Sequence, residues 1–248
     1  RAPVAIIDFT IESNSSTSGT CTLPEGFAFL SNQIDSRAYN FVVLEDTTVT
    51  KSNTQYVFEN LNIYEGQLIT YNFTYDAGAN PKSVFQLPDS NIDTTTIKVT
   101  VTPNAANSAS TVYEKVTDVL NITSTSQVFF LQEGRGNIYE IYFGNDVVGK
   151  SLPDGAIVSV TYLITNGTAS NKANNFVATS TVIDSLGTSL TNFTVNPQSA
   201  ASGGSNAETV DNIKLSAASQ FSTQNRLITF KDYETYIQSN YPNIDSLS

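Results

Sequence analysis

The side chains best able to do chemistry in this sequence are its 23 Asp and Glu residues, because the chain has no histidine and a single cysteine, Cys21. Without histidine, the usual general base, the Ser-His-Asp and Cys-His nucleophile systems and the commonest metal ligand are all missing. The same lack nearly excludes a zinc site. A pair of carboxylates is enough for glycoside hydrolysis if a cleft holds them about 5 to 9.5 Å apart, and Glu45 with Asp46 is such an acidic pair. Neighbouring strand residues point to opposite faces, however, so these two read as a solvated strand end. Asp89, Asn91 and Asp93 suggest a calcium loop, but the following Gly and the distal Glu are absent and a turn is the better reading. Neither a Walker-type phosphate loop nor a dinucleotide-binding glycine fingerprint is present. The expectation is no catalytic residue, no metal, no cofactor and no small-molecule substrate: a chain that is not an enzyme.

The acidic residues outnumber 12 Lys and Arg, giving a formal charge of −11 over 248 residues. The excess runs along the whole chain with no basic segment, so phosphate backbones and anionic lipid would be repelled, and neither nucleic acid nor membrane is expected as a partner. No apolar run approaches the ~18 residues that span a bilayer, and Arg1-Ala2-Pro3 lacks the apolar stretch of a signal peptide, so a soluble protein is expected. The lack of any methionine suggests a fragment or processed product. Cys21 has no internal disulfide partner and reads as a small buried residue. Arg135 and Arg226, scarce cations in an acidic chain, each call for a carboxylate partner within the fold or across an interface.

The elements that must position these groups are strands. Ile69, Tyr71, Phe73 and Tyr75 alternate with Thr70, Asn72 and Thr74, the period of a half-buried strand. The pattern returns at Ile97, Val99 and Val101, at Tyr139, Ile141 and Phe143, and at Val158, Val160, Tyr162 and Ile164. Gly144-Asn145, Pro153-Asp154-Gly155 and Asn166-Gly167 supply turn chemistry between them. Asn104–Thr111 and Asn196–Asn206 lose the period and read as linkers or long loops. Beyond them the spacing of Val210, Ile213, Ala217 and Phe221 predicts a helix behind a Ser205-x-x-Glu208 capping box. Thr229 would cap a second helix carrying Phe230, Tyr233 and Ile237 inward, with Asp232 completing its capping box. The 14 Phe and 12 Tyr read mainly as core, with a saccharide-binding platform as the alternative. The fold class expected is mainly β: antiparallel β modules in series (1–103, then a meander at 112–195), followed by a small α+β module with two short helices at 207–248.

The order of motifs in the last third is similar to that of a known family. Ser202-Gly203-Gly204, Ala207-Glu208, Asn225-Arg226-Leu227-Ile228-Thr229 and Asp232-Tyr233-Glu234 resemble the Gly-Gly, Ala-Glu, Arg-x-x-Thr and Asp-Tyr-Glu signature of the bacteriophage baseplate J-like family. Upstream, Leu23-Pro24-Glu25-Gly26, Ile63-Tyr64-Glu65-Gly66, Asn91-Ile92-Asp93-Thr94 and Phe143-Gly144-Asn145-Asp146 fit the same pattern. Within that family the likeness is to wedge proteins of T-even contractile-tailed phages. The resemblance implies a structural subunit of the virion tail baseplate, assembled in the host cytoplasm. It also implies an inner ring built by pairing with copies of itself and with other wedge proteins. Under it, Glu208, Asp211, Arg226, Asp232 and Tyr233 would either hold the two helices together or contribute to a subunit contact. A tail-associated adhesin or carbohydrate-binding module is the alternative.

Overall fold

The computed structural model describes residues 1–13, 15, 17–106, 109–134 and 138–207, together with Ile213, Lys214, Ala217, Phe230, Tyr233 and Ile237. Its first strands are β1 (Val4–Glu12), β2 (Thr20–Leu23), β3 (Ala28–Ser31), β4 (Asn40–Val42), β5 (Thr47–Thr50) and β6 (Gln55–Glu65). They are followed by β7 (Gln67–Thr74), β8 (Val84–Gln86), β9 (Ile92–Thr102), β10 (Thr111–Lys115), β11 (Val128–Glu133), β12 (Tyr139–Phe143) and β13 (Ile157–Ile164). The last are β14 (Phe176–Ala178), β15 (Val182–Ile183), β16 (Ser189–Leu190) and β17 (Asn192–Ser202). The protein is mainly β. The six described residues beyond 207 have helical backbone, but most residues of the two expected C-terminal helices, Glu208, Thr229 and Asp232 of their capping boxes included, lie outside the described residues, and the two helices are not shown.

Two large sheets carry the fold, one six-stranded in the order β14-β3-β4-β6-β1-β17 and one seven-stranded in the order β7-β13-β9-β10-β11-β12-β8. Sheet membership crosses the expected break near 104–111, since β9 lies before it and β10 to β13 after it in one sheet. That sheet is also not in serial order, and β10 and β11 run parallel, with Glu114 opposite Val128. The expected loop from Asn196 is strand as far as Ser202, paired with β1. Small polar residues serve there because an edge strand needs only its ladder bonds on one side, and where the register shifts the Ser199 hydroxyl takes the Ile6 N–H at 3.1 Å.

Each sheet closes over its own apolar cluster. In the first, Ala5, Ile7, Phe9 and Ile11 alternate inward from β1 and are fully buried. Phe9 is its hub, with the rings of Phe27, Phe29, Phe58 and Phe193 at 5.7, 5.1, 6.0 and 5.5 Å between centroids. In the second, Phe85 meets Phe73, Tyr75 and Phe143, backed by Val99, Val101, Val158 and Val160.

Candidate functional site

The most built polar region lies where the chain leaves the first sheet and returns to it. A single residue, Gly66, joins β6 to β7. Its φ of +137° is open to glycine and strained for other residues, and a Cβ there would sit 2.4 Å from the Ile164 carbonyl oxygen. Ile164 is the last residue of β13, so exit and return run side by side. Glu65, fully buried, clamps them. Its Oε2 accepts from the Thr165 hydroxyl at 2.7 Å and the Asn166 N–H at 3.0 Å, and its Oε1 accepts from Asn166 Nδ2 at 2.6 Å.

A second buried carboxylate ties the start of β1 to the other sheet. Asp93 accepts the Ala2 N–H at 2.7 Å through Oδ2, and the N–H and hydroxyl of Thr95 through Oδ1. Neither Glu65 nor Asp93 has a cation within salt-bridge distance among the described residues. Hydrogen bonds from neutral donors satisfy both side chains, as burial of a polar group requires. Nearer the surface Lys98 on β9 pairs with Glu25 of the β2–β3 loop at 3.4 Å.

The other buried charged group lies inside the first sheet's end. Lys51 Nζ stands 4.0 Å from Asp184 Oδ2, both side chains fully covered, and it donates to Ser13 Oγ at 2.9 Å and the Ser15 carbonyl at 3.2 Å. The Tyr56 hydroxyl donates to Asp184 at 3.0 Å, and the backbone N–H groups of Leu186 and Thr188 donate to its Oδ1. Burial alone would raise the Asp184 carboxyl. The N–H of Thr188, the Tyr56 hydroxyl, the N–H of Leu186 and the Lys51 charge outweigh it and hold the carboxyl below its usual range. Beside this cluster Cys21 is buried, and burial followed by the Asp184 charge pushes its thiol up to about 11. A neutral thiol with no access to solvent is a packing group.

The carboxylates considered for chemistry go to separate structural partners. Asp46 accepts the Glu25 N–H at 2.7 Å. Asp89 accepts the Tyr162 hydroxyl at 2.5 Å, Asp93 serves Ala2 and Thr95, and Asn91 between them takes a φ of +61°, as in a tight turn. Among the described residues no group of three or more Cys, Asp or Glu side chains is placed to hold a metal ion.

Of the residues assigned to a subunit contact, Glu208, Asp211, Arg226 and Asp232 lie outside the described residues, as does Arg135. Tyr233 is 48% exposed. Sequence reasoning missed Glu65, Asp93, Lys51 and Asp184 as buried groups. Glu65 had a signal in its place before the glycine that ends a strand, and Asp93 stood out only as part of a turn; Lys51 and Asp184 had none.

A last feature lies on the outer face of the second sheet. Phe130 and Tyr142, cross-strand partners on β11 and β12, stack at 4.8 Å with their planes 8° apart. Next to them Gln86 and Gln132 each donate to Glu140, at 2.9 and 3.0 Å. These two amides hold its carboxyl below the usual value.

No protein-family model matches the chain. Over 90% of its length it is 25% identical to the baseplate wedge protein gp6 of Enterobacteria phage T4. The chain is a distant relative of a phage baseplate wedge protein. The alignment takes in 35% of gp6, so the chain spans about a third of the length of the curated relative it matches. At 90% of the chain, the aligned stretch is far longer than the motifs between Ser202 and Glu234.

Proposed function

We propose that the chain is a structural, non-enzymatic part of a tail baseplate wedge, located in the virion and assembled in the host cytoplasm. In this reading it contributes to an inner baseplate ring through contacts with copies of itself and with other wedge proteins. The observation that carries the reading is the similarity to gp6 over nine tenths of the chain. The clamped junction supports it, because a ring subunit has to hold its β units at fixed relative positions. Residues 207–248 form a small helical module in this reading, and Glu208, Asp211, Arg226, Asp232 and Tyr233 either hold its helices together or meet a neighbouring subunit.

Cross-linking mass spectrometry on intact virions tests the location: links from this chain to other tail proteins are expected, and their absence from well-cross-linked tails would overturn the reading. For the C-terminal contact, light scattering on an Arg226→Glu variant is expected to show weaker association with native circular dichroism. Unchanged association would assign those residues to the module's interior. A second reading, a saccharide-binding module, draws on the stacked Phe130 and Tyr142 beside the Gln86–Glu140–Gln132 row, since aromatic faces and amide or carboxylate groups are what pyranose rings and hydroxyls engage. Binding on a glycan array that Tyr142→Ala abolishes would favour it.

A further inference from the structure

We infer that β7 is a self-association edge, at which two copies of the chain pair antiparallel about a two-fold axis and join their seven-stranded sheets into one. The inference rests on the proposed reading of the chain as an assembly subunit that meets copies of itself, and adds the surface and the pairing geometry.

Among the described residues β7 ends its sheet and pairs only with β13. The Tyr75 N–H, just beyond the strand, bonds the Ala156 carbonyl on the β13 side. Ladder bonds alternate along an antiparallel strand, so Phe73, Tyr71 and Ile69 also face β13, and the N–H and C=O groups of Thr70 and Asn72 face outward. No described residue pairs with them. Thr70, Tyr71 and Asn72 are exposed in succession, on alternate faces, so both sides of the strand's middle are open. β8, at the sheet's other end, reaches β7 by its Phe85 ring, 5.2 Å from Phe73, with no backbone pairing between the strands.

Exposed edges are normally blunted by shortness, proline or charge. The other edges of the two large sheets follow this rule: β8 and β14 have three residues each, and β17 carries Pro197. β7 has eight residues, Gln67-Leu-Ile-Thr-Tyr-Asn-Phe-Thr74, without charge, proline or glycine.

Charge selects a second copy as the occupant. Two chains of −11 repel each other, and like charges brought together at a contact cost most. β7 and its neighbour β13, eight residues each, contain no Asp, Glu, Lys or Arg, so two copies meeting here desolvate no like charges. The strand also complements itself. With the axis at Tyr71, Thr70 faces Asn72 of the partner subunit in a hydrogen-bonded pair, Ile69 faces the partner's Phe73, and the two Tyr71 rings meet.

The test is light scattering over a wide concentration range on the chain and on Asn72→Lys, with oxidative cross-linking of single-cysteine-addition variants. A dimer is expected whose dissociation constant rises at least tenfold in Asn72→Lys while circular dichroism stays native. Tyr71→Cys should form a reducible covalent dimer. Thr70→Cys alone should not, whereas a mixture of Thr70→Cys with Asn72→Cys should. A dimer indifferent to Asn72→Lys, with no disulfide formed by Tyr71→Cys, overturns the β7 edge but leaves the assembly reading standing. A strict monomer overturns self-pairing, and the virion cross-links then decide the assembly reading separately. A disulfide from the Tyr71→Cys variant to a different tail protein in virions would replace the second copy with that protein's strand.

Discussion

Glu65 and Asn166 are joined twice, through the side-chain amide at 2.6 Å and the backbone N–H at 3.0 Å, across 101 positions of sequence. Among the described residues, the carboxylate is the only acceptor these two donors and the Thr165 hydroxyl use. Glu65→Ala strands three donors, and a buried donor left without its acceptor costs about 1–3 kcal/mol. We expect a loss of about 3–5 kcal/mol in urea unfolding, with Glu65→Gln recovering part of it. A loss under about 1 kcal/mol would show that the junction does not depend on this clamp.

Gly66→Ala tests the same place without touching a polar group. The left-handed φ and the contact at 2.4 Å with backbone leave no flexible atom to move, so strain of roughly 2–4 kcal/mol is expected. Gly155, with open space around its Cβ position, is the control: Ala there meets only the φ penalty of about 1 kcal/mol.

At the buried pair, Lys51→Met leaves Asp184 charged with one partner fewer. Breaking a buried pair from one side costs about 3–5 kcal/mol. The stability that Asp184 contributes is present at neutral pH and lost as pH falls through its depressed folded value, so the acid limb of a stability profile should flatten in Lys51→Met.

The alkaline limb belongs to Tyr56 and Cys21. Burial, then the hydrogen bond to Asp184 and the charges of Asp184 and Cys21, push Tyr56 up to about 12, as burial pushes Cys21 up to about 11. A raised folded value means that the unfolded chain ionises first. Stability is thus whole below pH 9.0, the ordinary thiol value, and falls as pH rises through about 11 and 12. Urea midpoints across that window should drop less steeply in Tyr56→Phe. Alkylation of Cys21 should be slow in native protein and fast in denaturant.

Phe9→Ala removes the ring that four other phenylalanines touch, and a loss of about 3–5 kcal/mol is expected from denaturant titration.

The strands were legible where one face is wet. Val99 and Val101 of β9, Ile141 and Phe143 of β12, and Val158 and Val160 of β13 are buried as their alternation requires. Asn145 caps its turn by accepting the N–H groups of Val147 and Val148. β17 was hidden because Asn196 to Ser202 shows no hydrophobic period, its place being fixed by the ladder to β1. The pairing of β1 with β17, Ile7 opposite Pro197, has no local signature at all, and neither does a parallel pair such as β10 with β11. The candidate site was legible only at Gly66, since a carboxylate destined for burial is written like any surface one until its distant donors are known.

The pairing of β1 with β17 sets how tension would pass through the subunit. Val4 at the head of β1 lies opposite Ser202 at the tail of β17, so pulling those two ends apart loads one rung at a time. The ladder would unzip at low force, where a staggered arrangement would share the load along its length. The excursion from Gln67 to Ile164 lies off that line of force, carried by the first sheet like a passenger. An optical trap gripping the two ends should record early peeling of β1 from β17 with the second sheet still folded.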